Sequence, residues 1–208
     1  LFIAHDINEK ILEKYKKKVF QVGPIISKDI INSSKSKNKE KKNITTISVF
    51  GGSQGAEIFG EVVPPVIKML KDENYEIKIN QQCLKEQKNK IVNYYDKNKI
   101  SNKVFEFSKN IPEIMLSTDL AISRCGASTT AELAYTITPF IGVPLPESIE
   151  NHQFINAKHY ENKGCCWILN QKDFNEENLF KLIKNLINDK KKFQNIFENM
   201  KKNYVMNA

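Results

Sequence analysis

At 208 residues and 40% hydrophobic content, the chain is long enough to bury one core with appendages but short for two full domains. Its formal charge of +8 rests almost wholly on lysine, with Arg124 the only arginine. A coding bias toward lysine therefore explains the charge better than a nucleic-acid footprint, because groove and phosphate readers draw on arginine's bidentate fork. No nucleic-acid partner is expected, but lysines at about 1 kcal/mol each favour an anionic membrane surface.

Residues 1–31 mix short apolar pieces (LFIAH, KKKVFQVGPII) with a lysine-rich helical stretch and read as the tail of a larger unit. Residues 32–43, rich in Ser, Lys and Asn, are expected to be a solvated linker. From Ile44 onward, short β-branched runs alternate with longer helical patterns, the signature of βαβ units and a parallel sheet. Strands are expected at 45–50, 75–80, 103–108, 120–124, 139–145 and 165–170. Helices are expected at about 56–71, 83–98, 111–118, 127–137, 152–163, 174–188 and 190–204. Asp173 or Asn175 would cap the helix from 174.

Cys83, Cys125, Cys165 and Cys166 show no CxxC spacing and no nearby His pair, so no metal site is expected and buried free thiols are. No run of about 20 apolar residues occurs, and the N-terminus carries no secretory pattern, so neither a spanning segment nor secretion is expected. A sheet of this kind binds ligands at the carboxyl ends of its strands, near the topological switch point.

Three such strand ends carry chemistry. Gly51-Gly52-Ser53-Gln54-Gly55-Ala56 joins a strand to a helix, where glycines allow close backbone approach and the helix start offers N–H groups to a phosphate. A purely structural tight turn would also want glycines, and the loop is neither GxGxxG nor Walker A. Ser123 to Leu133 (SRCGASTTAEL) repeats the arrangement: Gly126 frees the turn, and Ser128 or Thr129 can cap the helix. Glu132 could accept two hydrogen bonds from a ribose diol, or serve as the capping-box partner of Ser128 or Thr129. Glu150 to Ala157 (ENHQFINA) opens a third helix, where clustered amide and imidazole groups suit sugar hydroxyls, although a His at a helix start is often only a cap.

In this order and spacing, GGSQGA, R-x-GAST-x-x-EL and NHQ-x-x-NA resemble the MurG family of N-acetylglucosaminyltransferases, from about Ile44 to Gln171. The VPLP…NHQ form is especially similar to alphaproteobacterial members. The resemblance implies an α/β, Rossmann-like parallel sheet, the C-terminal half of a GT-B two-domain glycosyltransferase, with residues 44–208 as the UDP-N-acetylglucosamine-binding domain. It implies transfer to a lipid-linked muramyl-peptide acceptor in peptidoglycan synthesis, at the cytoplasmic face of the bacterial inner membrane. By the same resemblance, Ser53 and Gln54 lie near the diphosphate and sugar, and the backbone at Phe107 and Ser108 grips the uracil edge. Ala127, Ser128 and Thr129 hold the α-phosphate, Glu132 the ribose, and His152 with Gln153 the sugar hydroxyls. No cofactor is implied, and no DxD-like acidic pair at a strand end suggests a required cation.

Departures accompany the match. A GTGGH-like acceptor loop, which belongs with the family's N-terminal domain and its base, has no counterpart here, so the sequence reads as a fragment that would be inactive alone. In Val22-Gly23-Pro24-Ile25-Ile26, similar to the family's crossover, the phosphate-contacting arginine falls at Ile26. Ser108 replaces a usual isoleucine, and the chain stops at Ala208 short of a final crossover helix. A split transferase subunit that works with a separate membrane-bound partner, a non-catalytic nucleotide-sugar-binding module and a basic nucleic-acid binder are the alternatives.

Overall fold

The computed structural model describes residues 2–3, 17–18, 20–21, 23, 25–34, 44–52 and 56–205. Six strands form the main sheet: β3 (Thr46–Phe50), β4 (Lys78–Gln82), β5 (Asn102–Phe105), β6 (Leu120–Ser123), β7 (Phe140–Gly142) and β8 (Cys166–Ile168). Their spatial order is β5-β4-β3-β6-β7-β8, and every pairing is parallel. The order runs outward from β3 in both directions, so the switch point lies between β3 and β6, where ligands collect in such sheets. Ahead of the sheet, β1 (Phe2–Ile3) and β2 (Phe20–Gln21) pair in parallel, and α1 (Lys28–Ser34) follows.

Alternation along the strands assigns their side chains to two faces. Ile47, Val49, Leu120, Ile122, Ile141 and Val143 face one core, shared with α2 (Glu57–Asp72), α3 (Lys85–Lys97) and α7 (Glu176–Asn188). Phe50, Ala121 and Phe140 face the other. That second core is closed by α1, α4 (Ile111–Ser117), α5 (Ala127–Tyr135), α6 (His152–Asn162) and α8 (Lys190–Met200). Within α2, Phe59, Val63, Val66, Ile67 and Leu70 recur at helical spacing and are buried. Each such side chain contributes about 1.5–3 kcal/mol on burial, which outweighs the lost hydrogen bonding at Pro64 and Pro65 inside the helix. The start of α7 is capped by Asn175, whose side chain accepts from the N–H of Asn178 at 2.9 Å.

Several expected boundaries move, for local reasons. Residues 32–34, expected in a solvated linker, belong to α1, because Ile30 is buried against the α4 residues Ile114 and Met115 and holds the helix to the domain. Residues 35–43 and the lysine-rich stretch at 4–16 lie outside the described residues. β4 begins at Lys78 instead of 75, since Asn74 takes a left-handed conformation and Tyr75 closes the end of α2 by donating to Leu70 O. The strand then runs on through Gln81, whose buried amide donates to Phe59 O and accepts from the Tyr95 hydroxyl. β5 ends at Phe105 instead of 108, and β7 at Gly142 instead of 145. Both shortened ends release residues into the loops at the carboxyl edge.

All four cysteines are free and buried. Burial pushes the Cys125 thiol up to about 12 and the Cys165 thiol to about 11, so both stay protonated and behave as apolar core groups. Among the described residues no group of three or more His, Cys, Asp or Glu is placed to hold a metal ion, and no helix is long and apolar enough to cross a membrane.

Candidate functional site

At the switch point, β3 and β6 end side by side, with Phe50 in register with Ser123. Gly52 follows β3 at φ +78°, a left-handed conformation that side chains other than glycine adopt only at a cost. Gln82, at the end of β4, braces this turn: its Oε1 accepts from the Gly51 N–H at 3.1 Å, and its Nε2 donates to Gly52 O and Glu106 O. A single amide thus joins the glycine loop to the loop that follows β5. Ser53 and Gln54 lie outside the described residues.

After β6, Gly126 stands at the N-cap of α5 with φ −63° and ψ 147°, a conformation open to any residue, and a Cβ there would meet nothing within 4 Å. Gly126 is therefore not needed to free the turn, contrary to the sequence reading; its effect is to leave the helix start uncovered. Helix α5 begins at Ala127 with no side-chain cap. Its first intrahelical bond is donated by Thr130 to Gly126 O, so the N–H groups of Ala127, Ser128 and Thr129 point out of the helix with no acceptor behind them. Neither Ser128 nor Thr129 is the cap. The capping-box alternative for Glu132 fails as well, because the helix starts at Ala127 and the box position three residues after Gly126 is Thr129.

These backbone groups face an open cleft of about 650 Å³, whose lining includes Gly51, Gly52, Arg124, Gly126, Ala127, Ser128, Thr129, His152 and Gln153. Ala127, Ser128 and Thr129, expected to hold a phosphate, therefore line one cavity with His152 and Gln153, expected to meet a sugar. Residues 147–149 form its outer lip, with Ile149 81% exposed. A cleft of about 730 Å³ opens at the opposite end of the sheet around Thr45, Lys71 and Lys99, away from the carboxyl ends of the strands.

Two side chains of α6 hold the site together. Gln153 Oε1 accepts from the N–H groups of Cys125 and Leu145, each at 3.1 Å, and Asn156 donates to Cys125 O at 3.0 Å. His152, which is exposed, has its Nδ1 2.8 Å from Ile149 O. A carbonyl only accepts, so Nδ1 carries the proton and Nε2 of the neutral ring is left as an acceptor. The turn into this helix is strained, with Glu150 and Asn151 both at positive φ.

Arg124 forms the floor and is only 9% exposed. Its Nη1 donates to Val143 O and Pro144 O, its Nη2 donates to Gln171 Oε1 at 2.6 Å, and its guanidinium lies 5.1 Å from the centre of the Phe59 ring. Arg124 stands in the R-x-GAST motif with no role implied by it, and Gln82 and Gln171 carry none of the expected site roles. Being the one guanidinium among 32 basic residues was the signal that could have marked Arg124; nothing in the sequence marks the two glutamines.

Three expected ligands lie apart from this cleft. Phe107, 81% exposed, and Ser108, whose hydroxyl accepts from the Asn110 N–H at 3.1 Å, sit beyond the end of β5. Glu132 is half-buried and hydrogen-bonds the hydroxyl and backbone N–H of Ser27, just before α1. Burial raises its pKa, and the Ser27 bonds offset part of that rise. Glu132 nevertheless follows Ser128 by four residues, so it occupies the same helix face one turn further from the cleft.

A doubly wound parallel sheet with a glycine turn and an uncapped helix start meeting at its switch point defines a Rossmann-like α/β domain. Residues 46–208 match the glycosyltransferase family 28 C-terminal domain, and the chain belongs to that family. Over 191 residues it is 37% identical to the UDP-N-acetylglucosamine--N-acetylmuramyl-(pentapeptide) pyrophosphoryl-undecaprenol N-acetylglucosamine transferase of Pelagibacter ubique, covering 90% of this chain and 52% of the relative. The protein of the same name from Rickettsia bellii is 38% identical, with 90% and 54% covered. Among solved structures, MurG of Acinetobacter baumannii superposes with a TM-score of 0.68 at 25% identity, covering 84% of this chain and 49% of that one. A UDP-glucose:anthocyanidin 3-O-glucosyltransferase shares the fold, with a TM-score of 0.60 at 18% identity over 88% of this chain and 39% of that one. The chain spans about half the length of the curated relatives it matches.

Proposed function

We propose that the chain supplies the donor-binding half of an inverting transferase, which moves N-acetylglucosamine from UDP-N-acetylglucosamine to undecaprenyl-pyrophosphoryl-muramyl-pentapeptide in peptidoglycan synthesis. The observation that carries this reading is the shared cleft: the uncapped start of α5 lies in one cavity with His152 and Gln153. In the reaction the 4-hydroxyl of the muramyl sugar attacks the anomeric carbon, the bond to the diphosphate oxygen breaks, and UDP leaves. The hydroxyl proton passes to a general base that we place in an N-terminal acceptor domain. This chain's part is to orient the donor and to meet the charge growing on the leaving diphosphate with prealigned N–H groups and the helix dipole.

Within that reading Ala127, Ser128 and Thr129 bind the α-phosphate, and Ser53 and Gln54 approach the diphosphate and sugar. The backbone at Phe107 and Ser108 meets the uracil, and His152 Nε2 accepts from a sugar hydroxyl. Glu132 meets the ribose with the carboxylate lone pairs that Ser27 does not use. The enzyme works peripherally at the cytoplasmic face of the inner membrane, where the lysine-rich surface favours anionic lipid. Titration calorimetry tests the donor assignment: the folded chain should bind UDP and UDP-N-acetylglucosamine. No heat at millimolar UDP, on a sample shown folded by circular dichroism, would overturn it.

A further inference from the structure

Arg124 poses an electrostatic problem that its neighbours leave unsolved. The residue as a whole is only 9% exposed, and the groups its guanidinium bonds are two backbone carbonyls and the Gln171 amide, all neutral. Among the described residues no carboxylate forms an ion pair with it. A desolvated charge without a counter-ion is costly, and burial works against the charged form here. Those three bonds occupy at most three of the five N–H donors of the side chain. The same residue forms part of the cleft lining beside Gly51 and the first turn of α5.

We infer that Arg124 is the fixed counter-charge for the diphosphate of the bound nucleotide, its buried cation being held in place by the carbonyls of the β7 loop and by Gln171 until the ligand supplies the missing anion. The inference rests on the donor-site reading above and adds a discriminating residue to it: Arg124 selects for the charged diphosphate and is indifferent to the nucleoside. Its neutral partners hold the side chain on one side, so the positive charge itself, and not a particular fork geometry, is what it offers to the cleft.

The unmodified chain allows a direct test. With a single arginine, the protein gives a single arginine Nε–H resonance, which UDP and inorganic pyrophosphate should shift and uridine should not. Titrations of two variants complete the test. Arg124→Gln should weaken UDP binding by about tenfold or more, the scale of a lost charge-assisted contact, while changing uridine binding by less than about threefold. Arg124→Lys should recover most of the UDP-to-uridine ratio. An arginine resonance unmoved at saturating UDP, an equal loss of UDP and uridine in Arg124→Gln, or a lysine variant no better than the glutamine one would each overturn the inference while leaving the donor site standing. Failure of the unmodified chain to bind UDP at all would overturn the donor reading and this inference together.

Discussion

Gln153 places one carbonyl oxygen between the N–H groups of Cys125 and Leu145, drawing together the loops that follow β6 and β7. Its neighbour His152 spends only Nδ1 on the protein and is exposed. The two residues, expected to read the sugar as a pair, are thereby separated by experiment. Gln153→Ala strands two backbone donors and should cost about 1–3 kcal/mol of stability along with donor affinity, as a denaturant titration would show. His152→Ala removes an acceptor at the surface and should leave stability within about 0.5 kcal/mol, while weakening UDP-N-acetylglucosamine more than UDP. If the histidine variant loses UDP and UDP-N-acetylglucosamine equally, His152 is not facing the sugar. That His152 and Gln153 stand together at a helix start was legible in the sequence. That one amide also ties two loops together was not, since its partners are backbone groups eight and 28 positions away.

The helix α5 has its cleft-facing end left without a side-chain cap. A side chain at the N-cap would stabilise it, and the Gly126 backbone tolerates one without a clash. Gly126→Asp should therefore keep stability or raise it by a few tenths of a kcal/mol, and should lower UDP affinity by about tenfold or more, because the carboxylate takes the N–H groups and repels the phosphate. Thermal melts and a UDP titration of the same sample check both halves; a variant that is stabilised and still binds UDP fully would show that the phosphate does not sit at this helix. The six strands of the main sheet, their parallel pairing and the helices between them could be read from the alternation of β-branched runs with helical patterns, whereas β1, β2 and α1 were not expected. The ends of β4 and β5 could not be read, because they depend on where polar side chains find partners. Gln81 stays in the sheet by bonding Phe59 O and Tyr95, whereas Glu106 to Ser108 leave it, with Gln82 holding the carbonyl of Glu106.

Over the whole molecule, the cleft joins two halves of the sheet that have separate braces: Gln82 ties the loops of β3, β4 and β5, and Arg124, Gln153 and Asn156 tie those of β6, β7 and β8. A ligand spanning Gly51 and the start of α5 touches both, so its binding free energy adds to global stability. At about 100 times its dissociation constant, UDP should add about 2.7 kcal/mol to unfolding, a rise in Tm of about 5–11 °C for a domain of this size. The net charge of +8 supplies a rival source of any such shift, because a lysine-rich surface attracts every polyanion. ATP at the same concentration carries comparable charge but not the uracil, so it should raise Tm by much less, and added salt should remove most of what it gives. Equal shifts from UDP and ATP, both abolished by salt, would trace the stabilisation to the lysines and away from the cleft.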